Sequence, residues 1–241
     1  MKNLKSINEF WCAVIRRDMS SAVREEDKFH NKEELQRYLK KEMEKQGMYV
    51  VIKNLDVSGI EDLSTLFSGL LYHVDTLDLS GWNLSGVKCL ADLFSDNEFV
   101  RSIDLSGWNT DSVENMSSMF ENCVSLKSIN VSGFNTENVE DMSYMFSYCE
   151  QLKSLDISNW NTPALKNLGH MFDGCWSLKE LNMFNKNITN VDDTEYMFSR
   201  CWGLESLDLS GWENHSIELA DYMFDDCPAP YRIIDDKIVR K

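Results

Sequence analysis

Apolar and polar positions along this chain repeat as one unit. From Ile103 the unit reads I-D-L-S-G-W-N-T-D-S-V-E-N-M-S-S-M-F-E-N-C-V-S-L. Its opening apolar residue returns as Leu77, Ile103, Ile129, Leu155, Leu181 and Leu207, and its closing Phe as Phe94, Phe120, Phe146, Phe172, Phe198 and Phe224, each step being 26 residues. A fixed period of this length predicts a solenoid in which each unit buries its apolar face against the next. In L-D-L-S the apolar residues alternate with Asp and Ser, as in a short strand with one face inward. The Gly and Asn around the aromatic, as in Gly81-Trp82-Asn83, suit a turn. In V-x-x-M-x-x-M-F the apolar residues recur every three or four positions, which predicts a short helical or 3₁₀ turn on the return side.

The same spacing extends to both ends. Counting back from Phe67 places a first strand over Tyr49–Ile52 and makes Val50–Phe67 a full unit, with a following loop, 68–76, one residue longer than its counterparts. Counting forward places a last strand at Ile233, behind Pro228 and Pro230. That gives about eight strands in one parallel stack. Residues 1–48 predict helices: Ser6 with Glu9 and Asn31 with Glu34 are capping patterns. Phe10, Trp11, Val14 and Ile15 form one stripe and Leu35, Tyr38, Leu39 and Met43 another, and Gly47 stands where a helix would stop. The expected organisation is an N-terminal helical cap over 1–48, an α/β leucine-rich-repeat solenoid over 49–227, and a capping strand and tail over 228–241. Repeat five departs from the rule: Met183-Phe184-Asn185-Lys186 replaces the Ser-Gly-aromatic corner, so a distorted corner or a partner contact is expected at Phe184.

Charge adds a direction. The 241-residue chain carries a net −16. Residues 1–48 hold 11 Lys/Arg against 9 Asp/Glu, and residues 49–241 hold 13 against 31, a net of −18. Such acidity disfavours bare nucleic acid and anionic lipid and favours basic partners, although it also serves solubility. Spread over roughly 34 Å of stacked strands, it approaches one charge per about 2 Å, close to the one per about 1.7 Å of duplex DNA. Met1–Phe10 lacks the apolar core of a secretory signal and no stretch approaches a membrane span. A cytoplasmic location is therefore expected.

Two surfaces are candidates for binding. The outward strand positions Asp78, Asp104, Asn130, Asp156, Asn182 and Asp208, flanked by Ser80, Ser106, Ser132, Ser158 and Ser210, form one row. Like charges about 4.8 Å apart in such a row repel, so it must stay wet, accept bonds from its serines or meet a cationic partner. On the return side Tyr144, His170, Tyr196 and Tyr222 share one repeat position, and Trp176 and Trp202 follow two cysteines. Large aromatics of this kind resemble interface anchors, or they stack between repeats. Cys123, Cys149, Cys175, Cys201 and Cys227 also share a position, with Asn97 and Leu70 in the earlier units. One thiol per rung gives a line rather than a tetrahedral metal site, and a buried, reduced ladder is expected. His30, His73, His170 and His215 make no nucleophile–base pattern, and no phosphate loop or dinucleotide-binding glycine pattern occurs. No catalysis, cofactor or metal is expected.

The consensus S-G-W-N-T-x-x-V-x-x-M-S-x-M-F-x-x-C-x-x-L-x-S-L-D-L, clearest over Ser106–Phe120, Ser132–Phe146 and Ser158–Phe172, resembles the BspA-type leucine-rich repeats, also called the Mycoplasma-lipoprotein DUF285 repeats. The lead-in Phe29–Leu35 and Asp56–Leu63 resembles the unit that precedes them, so the resemblance spans roughly residues 29–235. It implies a leucine-rich-repeat fold and, through its surface members, adhesion and host-protein binding. The expected function is a non-catalytic protein-interaction solenoid inside the cell, binding a partner with a basic surface. A phage or mobile-element acidic inhibitor of the anti-CRISPR or anti-restriction type, blocking a nuclease groove, is the alternative. A surface adhesin would require an export signal upstream.

Overall fold

A computed structural model describes residues 28–184, 188–204, 207–209, 212, 222–229, 231–234 and 237–240. The stripe expected over Phe10–Ile15, Cys12, Lys186, Ser210 and His215 lie outside the described residues. The helix α1 spans Lys32–Gln46. The Asn31 side chain accepts from the Glu34 backbone N–H at 2.9 Å, satisfying one of the donors a helix start leaves open. Gly47, at φ 69°, ends the helix with its N–H on the Met43 carbonyl. Leu35 and Leu39 are buried, and Tyr38 packs on Phe29 with ring centroids 5.2 Å apart.

Strands stand at the expected place in five of the units: β1 Tyr49–Val51, β2 Thr76–Asp78, β3 Ser102–Asp104, β4 Ser154–Asp156 and β5 Glu180–Asn182, while none is described at Ile129 or Leu207. β1, β2 and β3 pair in parallel, with Val50 opposite Leu77 and Leu77 opposite Ile103. β4 and β5 pair likewise, with Leu155 opposite Leu181. Between the two sheets the strand position at Ile129 is marked by the parallel bridge Ser102 to Ser128, and Asp141 of the same unit bridges Asn115 and Asn167. The middle residue of each three-residue strand is buried and its neighbours face out, as a period of two requires.

The return side differs from the expected helical turn. Among the described residues α1 is the single α-helix. Residues of the V-x-x-M-x-x-M-F stretch send alternate N–H groups across to the next unit instead: Met116 to Asp141, Ser118 to Ser143, Phe120 to Met145 and Asn122 to Ser147, at 2.8–2.9 Å. Tight turns such as Glu121 N–H to Ser118 and Cys123 N–H to Phe120 lie between them. Every backbone donor needs a partner, and because alternate donors point between units, the turns between them do not join into a continuous helix. Left-handed residues at regular intervals, Ser118 and Asn122 in this unit at φ 53° and 56°, turn the peptides outward.

The core is a set of columns running through successive units. The closing phenylalanines stack from Phe67 through Phe94, Phe120, Phe146, Phe172 and Phe198 to Phe224, with centroids 5.3–5.8 Å apart. Corner tryptophans bury their rings and donate Nε1–H to a carbonyl of the preceding unit: Trp82 to Ile52, Trp108 to Leu79, Trp160 to Val131 and Trp212 to Phe184. Cys123, Cys149, Cys175, Cys201 and Cys227 are buried and unbridged. Cys123, Cys149, Cys175 and Cys201 donate S–H to Phe94, Phe120, Phe146 and Phe172 carbonyls at 3.1–3.2 Å. Burial pushes the Cys123 thiol up to about 12, so it stays protonated and inert at neutral pH.

The long first loop changes who occupies this column. Leu70, expected beside the cysteines, is 47% exposed, and the extra residue sends Leu71 inside in its place. Asn97 takes the cysteine position one unit on. Its amide donates to the Phe67 and Phe94 carbonyls and its oxygen accepts from the Leu71 N–H at 2.7 Å. Cysteine could donate to one carbonyl but not replace this acceptor. Asn97→Cys, which orphans a buried N–H, is expected to cost about 1–3 kcal/mol in urea unfolding, and an unchanged midpoint would contradict this assignment.

The far end also departs from the sequence expectation. Ile233 does not extend the parallel stack. Strand β6, Tyr231–Ile234, pairs antiparallel with β7, Lys237–Arg240, and Ile233 faces Ile238. Pro228 and Pro230 lack the N–H groups that the parallel ladder would use on approach to this position.

Candidate functional site

The strand-face row is built as expected from sequence, but its oxygens have local work. The Asp78 carboxylate accepts from the Ser80 N–H at 3.0 Å and hydroxyl at 2.7 Å, and Lys53 Nζ lies 2.7 Å from its other oxygen. Asp104 accepts from the Ser106 N–H, while Asn130 and Asp156 each accept from both the N–H and the hydroxyl of Ser132 and Ser158. Asn182 and Asp208 are exposed in the same row. A short side chain that accepts from the backbone two residues on closes the strand-to-turn corner, which explains Asp or Asn here without a partner. Asn115, Asp141 and Asn167 do the same at a second corner, and Asn83, Asn109 and Asn135 at a third.

At Asp156, Asp62 and Asp78 such bonds favour the ionised carboxylate. Ser158 keeps the Asp156 carboxyl below its ordinary value, and the Ser64 hydroxyl does the same for Asp62. Burial pushes Asp78 up, but Lys53 and Ser80 outweigh it and the net shift is down. A carboxyl depressed by folding adds stability that is present above its unfolded pKa, near 4, and is lost as pH falls through the folded value. Glu121 and Asp92 shift the other way, first through burial and then through neighbouring carboxylates. Their contribution is present below the unfolded value and lost as pH rises through the folded one. Thermal melts are therefore expected to show Glu121→Gln above the parent at pH 7, with the gap closing toward pH 4. A gap that widens toward pH 4 would contradict the signs.

The return side presents aromatic groups instead. Tyr144, His170, Tyr196 and Tyr222 form one continuous stack, with centroids 4.4, 4.9 and 5.0 Å apart and rings within 17° of parallel. Tyr144 is 38% exposed and Tyr222 60%. Further along the same run of turns, Trp176 and Trp202 stack at 5.2 Å, with Trp202 54% exposed. The four column residues all sit at φ 54–57°. Bulky residues rarely adopt this left-handed region, which costs about 1 kcal/mol or more each. Asp92 and Ser118 hold the same place in earlier units and need no such concession in size.

Carboxylates act on the Tyr144 end of the column. The Tyr144 hydroxyl is pushed up first by burial and then by Glu121, Asp193, Asp173 and Glu195. Asp173 is buried and accepts from Arg200 twice, at 3.1 and 2.8 Å, and its second oxygen lies 3.2 Å from His170 Nδ1. The Arg200 guanidinium in turn lies 5.3 Å over the Tyr148 ring. Gly174, at φ 71°, leaves the space for this: a Cβ there would sit 2.8 Å from Tyr148 Cδ1.

Phe184 moves in the opposite sense. Expected as a partner contact, it is fully buried, stacked between Trp160 and Trp212 at 6.4 and 5.6 Å. It fills the tryptophan place in a unit whose sequence has Lys186 where the others have an aromatic residue, and its burial removes it from any surface. The structure also shows a patch that the sequence reading passed over. Met48, Leu70, Tyr72 and Phe99 are exposed beside a groove of about 220 Å³ lined by Lys40, Met43, Gly47, Leu70, Tyr72 and Val74. The signal was the extra residue of loop 68–76, which turns Leu70 outward.

Among the described residues no three His, Cys, Asp or Glu side chains converge as a metal site, and no helix is long and apolar enough to cross a membrane. No curated protein and no solved structure matches the chain. One family does, described as "Mycoplasma protein of unknown function, DUF285", over residues 34–154 and again over 125–236. These two stretches together take in well over half of the chain, and the protein belongs to the DUF285 repeat family.

Proposed function

We propose that this chain is a leucine-rich-repeat solenoid of the BspA type that acts as a non-catalytic protein-interaction module in the cytoplasm, and that it binds its partner with the aromatic column of the return side. One observation carries the reading: the stack Tyr144–His170–Tyr196–Tyr222, exposed at Tyr144 and Tyr222 and half-buried between them. Tyr and Trp are the residues that dominate interface energetics, and here they are held in a backbone conformation that disfavours them. Strain retained at a surface points to use of that surface. The strand row, by contrast, is accounted for by its corner-closing bonds.

The acidic nuclease inhibitor is the second reading, and the charge density of the repeats supports it. Within the strand row, however, Asn130 and Asn182 are neutral and Asp78 is paired with Lys53, so the row is a diluted rather than a continuous line of charge. Affinity capture from the source lysate separates the two. Intact protein is compared with Tyr196→Ala/Tyr222→Ala and with Asp104→Lys/Asp156→Lys across a salt series. A partner that resists salt and is lost only with the tyrosine pair supports the column. A nuclease lost only with the aspartate pair, and displaced by salt or competing DNA, supports the inhibitor and overturns the column.

A further inference from the structure

We propose that the aromatic column is a docking strip for an arginine-bearing segment of a basic partner protein, its guanidinium groups lying against the exposed rings of Tyr222 and Trp202. This rests on the reading of the column as the partner surface and adds the chemistry of what it takes.

Charge complementarity is the first argument. At the column itself His170 Nδ1 lies 3.2 Å from an Asp173 oxygen, and Glu121, Asp193 and Glu195 act with Asp173 on the Tyr144 hydroxyl. The repeat body as a whole is strongly acidic. A cation over an aromatic face is attracted by the ring quadrupole, and a carboxylate beside the ring adds to that attraction. An apolar partner segment would gain nothing from these charges. Nucleic acid could stack its bases on the rings, but its phosphates would meet the same carboxylates.

The second argument is that the chain already binds a guanidinium in this way. Arg200 lies 5.3 Å over Tyr148 and makes two bonds to Asp173, in the room that Gly174 leaves open. Ring, carboxylate and planar cation are there assembled within the molecule, one repeat position away from the column: Tyr144 and Tyr148 are four residues apart on the same run of turns. Beside this pair the return side presents the exposed rings of Tyr222 and Trp202 on an acidic repeat body. Arginine suits it better than lysine, because a guanidinium stacks on a ring and bonds a carboxylate bidentately at once, whereas an ammonium is a compact and strongly hydrated charge.

Fluorescence anisotropy with labelled peptides tests this on the full chain. The probes are an alternating Arg-Gly peptide, a Lys-Gly peptide of equal length and charge, and a single-stranded oligouridine RNA. The variant is Tyr222→Asn/Trp202→Ala. Asparagine accepts the left-handed backbone and Trp202 is more than half exposed, so the melting temperature should hold, and circular dichroism checks this. The expected result is Arg-Gly binding at least about tenfold tighter than Lys-Gly, a difference of about 1.4 kcal/mol, with that preference gone in the variant. Equal binding of the two peptides, a preference that survives in the variant, tighter binding of the RNA, or no binding at all overturns the arginine assignment. The lysate capture keeps the two claims apart. If Tyr222→Asn/Trp202→Ala loses its lysate partner while the parent shows no arginine preference, the docking strip stands and the arginine falls. If the variant keeps that partner, both fall.

Discussion

Replacing Phe146 with alanine is expected to destabilise the protein by about 3–5 kcal/mol, the range for emptying a large buried aromatic. Its ring is fully buried between Phe120 and Phe172, at 5.4 and 5.8 Å. The backbone around it cannot close the gap. The Phe146 N–H is bonded to Met171 in the next unit, and its carbonyl receives both the Cys149 N–H and the Cys175 S–H. Loss of the ring therefore leaves a cavity at a junction through which units on both sides are coupled. Phe224, half-buried at the far end of the column, is expected to cost less. Urea unfolding followed by circular dichroism measures both, and a loss below about 1 kcal/mol at Phe146 would show that the column is not what holds the units together.

Truncating Tyr196 and Trp202 together is expected to weaken partner binding by about 100-fold or more, since central aromatic anchors typically contribute about 2 kcal/mol or more each when removed. Tyr196 is the interior ring between His170 and Tyr222, and its removal breaks the stack. Trp202 is the more exposed half of the indole pair. The two changes are close along one run of turns, so their effects will not simply add. Titration of the captured partner, with the Asp104→Lys/Asp156→Lys protein as the control, reads the result.

Much of the scaffold was legible because spacing alone encodes it. The 26-residue step places Leu77 opposite Ile103 and Leu155 opposite Leu181, and those residues pair. Asn31 and Gly47 marked the ends of α1 through capping chemistry that is local in sequence. The return side was misread because its apolar residues recur at helical intervals while the backbone does something else. Val113, Met116, Met119 and Phe120 are all buried, yet the chain between them passes through Ser118 at φ 53°. Left-handed residues announce themselves in sequence when they are Gly or Asn. Tyr144 and Tyr196 give no such notice.

The same limit applies to the candidate surfaces. Period and residue type brought Tyr144, His170, Tyr196 and Tyr222 to one position, and the structure stacks them. Burial was harder to read. Phe184 looked displaced from the pattern, but it fills a core place two positions early because no tryptophan is available in that unit. Leu70 and Leu71 were exchanged by a single extra residue. The last strand was placed at Ile233 by the period, where two prolines and an antiparallel partner prevail.

Hydroxyl-radical footprinting of the exposed aromatics, free and with the captured partner bound, tests the central claim most directly. Trp176, Trp202, Tyr144 and Tyr222 are expected to lose reactivity in the complex, while Tyr72 and Phe99, exposed at the other end of the repeats, keep theirs. Protection of Tyr72 and Phe99 with the column still reactive would move the partner to the groove beside α1 and contradict the account.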